Sequence, residues 1–213
     1  MNLSKLLAAL LPTFARRGED SGPIDWVSLH CPEANSTAGL PTPTYGSTGL
    51  VFTVCSELNI SAPLSDVYNA IIDFQSYPTW NTFVFAVDLP GNVTSTPADV
   101  FIGMPMTFHT AGVIPLSNTT SNEIITVLDP ATTGPDAGGY SMSAWRFDDG
   151  LGGVGIRAEH PNVLVDVGGG VTRYLSFESY YGLGTALILP LEGNLQAAFE
   201  KQGADLKAFL ERG

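Results

Sequence analysis

Basic residues are scarce in this sequence. Only nine of its 213 residues are Lys or Arg, against 21 Asp or Glu, so the formal net charge is −12. A protein that binds nucleic acid needs a basic face to neutralise phosphates, and adhesion to an anionic membrane surface needs the same. The composition therefore predicts no nucleic-acid partner, and the negative charge itself is typical of a soluble protein.

Cysteine and histidine are also rare. The two cysteines, Cys31 and Cys55, do not form a CxxC pair, and His30, His109 and His160 are scattered along the chain. These spacings predict no zinc site, and no glycine cluster has the strand–GxGxxG–helix context of a nucleotide site. We therefore expect neither a metal nor an organic cofactor. Two free thiols in a cytoplasmic protein are expected, with a disulfide only if the chain is secreted.

Long apolar runs are absent, since no stretch approaches the ~20 apolar residues of a transmembrane helix. The apolar residues near the N-terminus instead follow one helical stripe: Leu3, Leu6, Leu7, Leu10, Leu11 and Phe14. This favours an amphipathic helix, which would dock on the domain or form a homodimer, over a signal peptide. Five sequons favour secretion instead, because they are used only in the secretory pathway. They begin at Asn2, Asn35, Asn59, Asn92 and Asn118.

The chain divides into two parts at about residue 50. Residues 18–49 are rich in Gly, Pro, Ser and Thr, so 1–49 are predicted to form the N-terminal helix and an extended lead-in. Residues 50–213 are predicted to form one ligand-cavity domain. Alternating apolar residues indicate seven strands in this domain. These are expected at about 50–60, 83–89, 104–111, 123–128, 140–147, 157–167 and 171–181.

Helical patterns flank the strands. Apolar residues at helical spacing predict two short helices, at about 64–74 and 77–81, and a helix of about 20 residues from Pro190. Consecutive strands with short loops indicate an antiparallel meander, so the fold class is α+β. One helix cannot fill the concave face of a seven-stranded sheet. The remaining gap is predicted to be a cavity, which the apolar residues (44% of the chain) would line.

Two segments resemble the SRPBCC superfamily, which includes START-like, Bet v 1-like and polyketide cyclase-type domains. The first is residues 60–81, ISAPLSDVYNAIIDFQSYPTWN, with its Ile-x-Ala-Pro start and its Tyr-Pro-x-Trp-Asn end. The second comprises His160, Thr172-Arg173 and Glu178-x-Tyr180-x-Gly182. The resemblance covers roughly residues 50–211 and implies a helix-grip fold, in which the sheet wraps the long helix. It leaves the function open, because the superfamily contains carriers, cyclases, hydrolases and receptors.

The hairpin around Gly168–Gly170 holds the main candidate for chemistry. If the turn centres on Gly169, His160 lies opposite Glu178 on the neighbouring strand. Directly opposed side chains have Cβ atoms about 4.5–5.5 Å apart. A hydrogen bond at that distance would raise the basicity of the imidazole and make it a general base. The alternative is a polar pair on the solvent face of the sheet.

Further residues complete the predicted site. Tyr68 and Arg146 are candidate catalytic groups, although a core tyrosine and a solvent-exposed arginine are the simpler interpretations. The predicted cavity-lining residues are Trp80, Met106, Phe108, Trp145, Tyr174, Tyr180 and Phe199. Two functions remain open. One is a cofactor-independent cyclase, dehydratase or isomerase acting on an apolar, polyketide-like intermediate. The other is a carrier or sensor of a hydrophobic molecule such as a lipid or quinone.

Overall fold

Seven strands form one antiparallel sheet in the order β1-β7-β6-β5-β4-β3-β2. The computed structural model describes residues 24–33, 36, 38–130, 139–148 and 155–212. The predicted helix and dimer contact at residues 3–14 therefore lie outside the described residues. The strands are β1 (Leu50–Ile60), β2 (Val84–Asp88), β3 (Pro105–Ile114), β4 (Ser117–Asp129), β5 (Ser141–Asp148), β6 (Arg157–Gly168) and β7 (Val171–Tyr181).

Within the described residues, three α-helices accompany the sheet, close to the predicted positions. They are α1 (Leu64–Ile72), α2 (Tyr77–Trp80) and α3 (Glu192–Leu210). Helix α1 begins directly after Pro63, whose fixed φ suits a helix start. No helix in the described ranges is both long enough and apolar enough to cross a membrane.

One strand begins earlier than its sequence pattern predicts. The β3–β4 hairpin turns at residues 115–116, and β4 starts at Ser117 rather than at residue 123. The polar run 117–122 carries no apolar alternation, because this half of the hairpin is largely exposed. Cross-strand pairing holds it in the sheet, including a hydrogen bond between the Thr110 and Thr119 hydroxyls at 2.6 Å.

The β6–β7 hairpin has the predicted register. Asn162 pairs with Ser176 and Glu159 with Ser179, so His160 lies opposite Glu178. The turn is made by three glycines with φ between 67° and 89°, a backbone region that residues with a side chain rarely adopt.

The concave face of the sheet, which contacts α3, holds the core. Helix α3 buries Leu195, Phe199 and Leu206 against it, on the predicted stripe. A layer of rings fills the middle of this face through edge and tilted contacts. Its members are Phe74, Tyr77, Phe108, Trp145, His160 and Phe199. The middle of the domain is therefore a packed core, and a space that a ligand could occupy lies towards one end of α3.

The lead-in covers the opposite, convex face. Trp26, Leu29 and Leu40 pack there on a second apolar cluster that includes Val163 and Phe177. Arg173 holds the segment by donating hydrogen bonds to the carbonyl oxygen of Leu29 at 2.7 Å and to Glu57 at 2.9 Å.

A disulfide joins this lead-in to the sheet, so the expectation of two free thiols was wrong. Cys31 of the lead-in is bonded to Cys55 of β1, with 5.6 Å between their Cα atoms. The sequence hides the pairing, because the two residues are 24 positions apart and only the folding of the lead-in across β1 brings them together.

Removing the disulfide should destabilise the domain. The bond closes a loop of 24 residues, for which loop entropy gives a stabilisation of about 3 kcal/mol. We expect the Cys31→Ser/Cys55→Ser double variant to lose about this much free energy of unfolding in urea titrations. Dithiothreitol should destabilise the wild type equally and leave the variant unchanged. Equal stability of the two proteins would contradict the prediction.

Candidate functional site

A cavity of about 260 Å³ lies between the first turns of α3 and the concave face of the sheet. Most of its wall is apolar, with Phe83 on one side and Ile188, Leu191 and Leu195 on the helical side. Helix α3 packs closely along β1, where the Gln196 side chain bonds to the backbone of Cys55 and Gly203 lies against Ser56 and Leu58. The cavity lies on the other side of the helix, towards β3 and β4.

Glu178 projects from β7 into this cavity. The Tyr180 hydroxyl donates a short hydrogen bond to its carboxylate, and the ring of Tyr180 stacks on Phe52 with centroids 4.5 Å apart. The Glu178 side chain is only partly buried because it faces the open volume. The surrounding protein atoms nevertheless raise its pKa to about 7, because burial disfavours the ionised form. Glu178 therefore exists in both protonation states near neutral pH.

A second carboxyl, Glu123 of β4, lines the same cavity. It lies on the concave face between Met106 of β3 and Phe147 of β5, and it is 5% exposed. Burial raises its pKa well above the ordinary value, and the charge of Glu178 adds to the shift. Its Oε2 atom is buried without a hydrogen-bond partner in the protein. Such an oxygen is costly in a folded protein unless a ligand or water satisfies it.

Glu123 is not among the site residues predicted from the sequence, although the sequence contains a signal for it. It shares strand parity with Ile125, which is 1% exposed, so a charged residue stands on an apolar face. The polar residues before it made this position look like the start of a strand rather than its middle.

The two carboxyls and the phenol form an acid–base set in a mostly apolar cavity. Burial keeps Glu123 in its protonated, acid form, and the ionised form of Glu178 can act as the base. The pKa of the Tyr180 hydroxyl is raised by burial and by the neighbouring Glu178, so it remains a hydrogen-bond donor. Within the described residues, no three His, Cys, Asp or Glu side chains are grouped to hold a metal ion.

His160 is on the concave face, but it does not form the predicted ion pair with Glu178. Its Nε2 atom is 2.8 Å from the hydroxyl of Ser176, which precedes Glu178 by two residues on β7. Its ring lies between Trp145 and Phe199, with centroids 4.7 Å from each. Burial among these rings lowers its pKa to about 3, opposite to the predicted increase in basicity. The imidazole is therefore neutral, and it lies in the core rather than on the cavity wall.

Most other predicted site residues are also in the core. Tyr174 is fully buried and donates to Asn162 at 2.7 Å, and Trp80 packs on Phe209. Tyr68 is buried on α1, where desolvation raises its pKa to about 12. The aromatic core or its edge also includes Met106, Phe108, Trp145 and Phe199. Of the residues singled out in the sequence, Glu178 and Tyr180 line the cavity.

Arg146 lies on the convex face, on the opposite side of β5 from Trp145. Its Nη1 atom donates to the Tyr45 hydroxyl at 3.1 Å, and its guanidinium lies 5.9 Å from the centroid of that ring. It therefore ties the lead-in to the sheet and does not reach the cavity, because side chains at successive strand positions point to opposite faces.

Comparisons with known proteins identify the fold. No model of a known protein family and no curated protein matches the sequence. Solved structures do match, although at low identity. A hypothetical protein from Helicobacter pylori is 14% identical, over 75% of this chain and 88% of that one, with a TM-score of 0.57. Truncated norcoclaurine synthase from Thalictrum flavum is 12% identical, over 79% and 99%, with a TM-score of 0.52.

A START superfamily protein from Mycobacterium smegmatis is similar to the same degree. It is 12% identical over 75% of this chain and 97% of that one, with a TM-score of 0.51. The chain has the helix-grip fold. The α+β architecture predicted from the apolar periodicity and the helix-grip fold implied by the resemblance are thereby confirmed, and at these identities the likeness establishes the fold alone.

The stability of the protein should depend on pH through Glu178. Its pKa rises from 4.5 to about 7 on folding, so the folded state binds more protons than the unfolded state between these values. The free energy of unfolding should therefore fall as pH rises through this window, by roughly 3 kcal/mol. We expect Glu178→Gln to abolish the decrease in the free energy of unfolding that Glu178 causes. The variant should therefore be more stable than wild type at pH 8.

The measurement is a series of denaturant titrations from pH 4 to pH 8. Glu200→Gln is the matched control, because Glu200 is exposed on α3 and outside the cavity wall. It should follow the wild-type curve. Parallel curves for Glu178→Gln and wild type would show that the carboxyl does not titrate as described.

Proposed function

We propose that the protein is a cofactor-independent enzyme that moves protons on a small, mostly apolar, oxygenated molecule bound between α3 and the sheet. The observation that carries this proposal is the pairing of Glu178, with a pKa of about 7, with the buried and unpartnered Oε2 atom of Glu123 in one apolar cavity. A general base works best when its pKa is near the operating pH. A buried acid that stays protonated can stabilise a developing oxyanion.

The proposed step is enolisation next to a carbonyl group. The Glu178 carboxylate takes a proton from the carbon beside the carbonyl, and the C–H electron pair forms the new carbon–carbon double bond. The carbonyl π electrons move to the oxygen, which receives the proton of Glu123. Return of both protons regenerates the two carboxyls. Return to a different carbon isomerises the substrate. Loss of a neighbouring hydroxyl as water dehydrates it, and attack of the enol on a second carbonyl closes a ring.

The size and lining of the cavity restrict the substrate. Its volume of about 260 Å³ is below the range of about 300–1,000 Å³ that is usual for drug-sized ligands. The polar side chains of its wall are the two carboxyls, the Tyr180 phenol and four hydroxyl residues of β3 and β4, namely Thr110, Thr119, Thr120 and Ser121. A compact ketone, such as a short or cyclised polyketide-like intermediate, matches both properties.

A carrier of a hydrophobic molecule is the alternative function, and the polar groups favour the enzyme. A cavity used only for apolar storage gains nothing from two desolvated carboxyls, which are costly to bury. One structurally similar protein is named a synthase, so the same fold houses catalysis in that protein.

The exchange of carbon-bound protons tests the proposal without knowledge of the natural substrate. The probe is 2-tetralone, a compact apolar ketone, whose α-proton exchange in D₂O is followed by NMR. We expect the wild-type protein to accelerate exchange, and Glu178→Gln to lower the catalysed rate by about 100-fold or more. Glu200→Gln should retain the full rate. Binding of the ketone with no accelerated exchange would refute the enzyme and support the carrier.

Tyr180 should position the base and tune its pKa, and Tyr180→Phe tests this role. The hydroxyl donates to Glu178 and thereby lowers the pKa of that carboxyl against the effect of burial. The variant keeps the ring that stacks on Phe52. We expect the midpoint of the pH–rate profile to shift above the wild-type value of about 7. A lower maximal rate with an unchanged midpoint would indicate a purely structural role.

A further inference from the structure

We infer that this protein matures in an oxidising secretory compartment and carries N-linked glycans at Asn59, Asn92 and Asn118. Two independent features support the inference. One is the disulfide between Cys31 and Cys55, and the other is the placement of these three sequon asparagines on the surface. The inference replaces the expectation of a cytoplasmic protein and does not depend on the proposed function.

The disulfide is part of the architecture. Cys55 is 7% exposed and belongs to the convex apolar cluster, and Cys31 packs against the same cluster. The backbone N–H of Cys31 also donates to Glu57 at 3.0 Å, so the half-cystine is held at the edge of β1. Disulfides of this structural kind persist in secreted proteins, whereas the cytoplasm keeps thiols reduced. The bond therefore indicates the compartment in which the chain folds.

The described sequon asparagines all lie in solvent. Asn59 is near the end of β1, Asn92 is in the turn after β2, and Asn118 is beside the β3–β4 turn, each of them exposed. Lys207 donates a hydrogen bond to the backbone carbonyl oxygen of Asn59, and Ser117 donates one to that of Asn118. Neither of these hydrogen bonds involves the side-chain amide of the asparagine. A glycan on each side chain therefore extends away from the folded domain.

Exposure is not shared by every asparagine of the described residues. Asn81 and Asn162 are buried, and both are hydrogen-bonded within the fold. A glycan at either position would prevent packing, and neither is followed by Ser or Thr two residues later. Asn69, which is exposed on α1 and has no sequon, provides a control.

The hairpin tip beside Asn118 supports a glycan at that site. Leu116 is fully exposed and Ile114 is 41% exposed, so the tip presents apolar side chains to solvent. A hydrophilic glycan two residues beyond Leu116 would shield this surface and keep the protein soluble. Thr119 and Thr120 line the cavity, so this glycan would also stand beside the ligand entrance.

The modification is a group transfer from a lipid-linked sugar pyrophosphate. The side-chain amide nitrogen bonds to the first carbon of the sugar, the bond from that carbon to the pyrophosphate oxygen breaks, and the amide loses one proton. The Ser or Thr at the third sequon position is Ser61, Thr94 or Thr120. The donor is a general component of the secretory pathway, so no further reactant is required.

The test uses the endogenous protein, immunopurified in iodoacetamide without reductant. One half is treated with peptide-N-glycosidase F, and both halves are analysed by intact and peptide mass spectrometry. We expect treatment to lower the mass and convert residues 59, 92 and 118 from Asn to Asp, with Cys31 and Cys55 unalkylated. When expressed in the same cells, Asn59→Gln, Asn92→Gln and Asn118→Gln should each lose one glycan, and Asn69→Gln should lose none.

Two results would overturn the inference. Unmodified asparagines at all three positions would exclude the glycans, and alkylation of both cysteines would exclude the oxidising compartment. A glycan at only one or two positions supports the compartment and refutes the assignment at the bare positions.

Discussion

The width of the sheet relative to one helix determines most of this structure. Seven strands about 4.8 Å apart span roughly 30 Å, whereas a helix with its side chains is about 10–12 Å wide. Helix α3 can therefore cover only part of the concave face. Aromatic side chains fill the middle, where Trp145 and Phe199 meet around His160. The uncovered end becomes the cavity, and its chemistry depends on which side chains happen to face it.

The same packing separates two kinds of polar group. In the filled middle, His160 is surrounded by rings and is neutral, because burial without a charged partner favours the uncharged form of any ionisable group. At the open end, burial acts on Glu123 and Glu178 in the same sense, but for a carboxyl the uncharged form is the acid. Burial therefore has two outcomes. It abolishes the basicity of His160 in the core, and it makes Glu123 and Glu178 an acid–base pair at the cavity.

The convex face of the sheet is covered by the lead-in rather than by a helix. An antiparallel sheet can leave one face in water, but here Val163, Leu175 and Phe177 are apolar on that face and require a cover. The lead-in supplies the cover, and side-chain contacts and a covalent bond hold its described residues on the sheet. Arg173 binds its carbonyl oxygens and the disulfide joins it to β1. The described part of the lead-in thus has a structural role.

The sequence by itself determined the order of helices and strands, because apolar periodicity is local and the residues of one element are neighbours in the chain. It also determined the β6–β7 register, since the three glycines fix where the turn lies. It could not determine which side chain His160 contacts. The register fixes which residues lie opposite each other on neighbouring strands, but it does not fix the rotamer of the His160 side chain. The pairing of Glu123 with Glu178, like that of Cys31 with Cys55, depended on the tertiary structure, since curvature and packing bring together residues from distant parts of the chain.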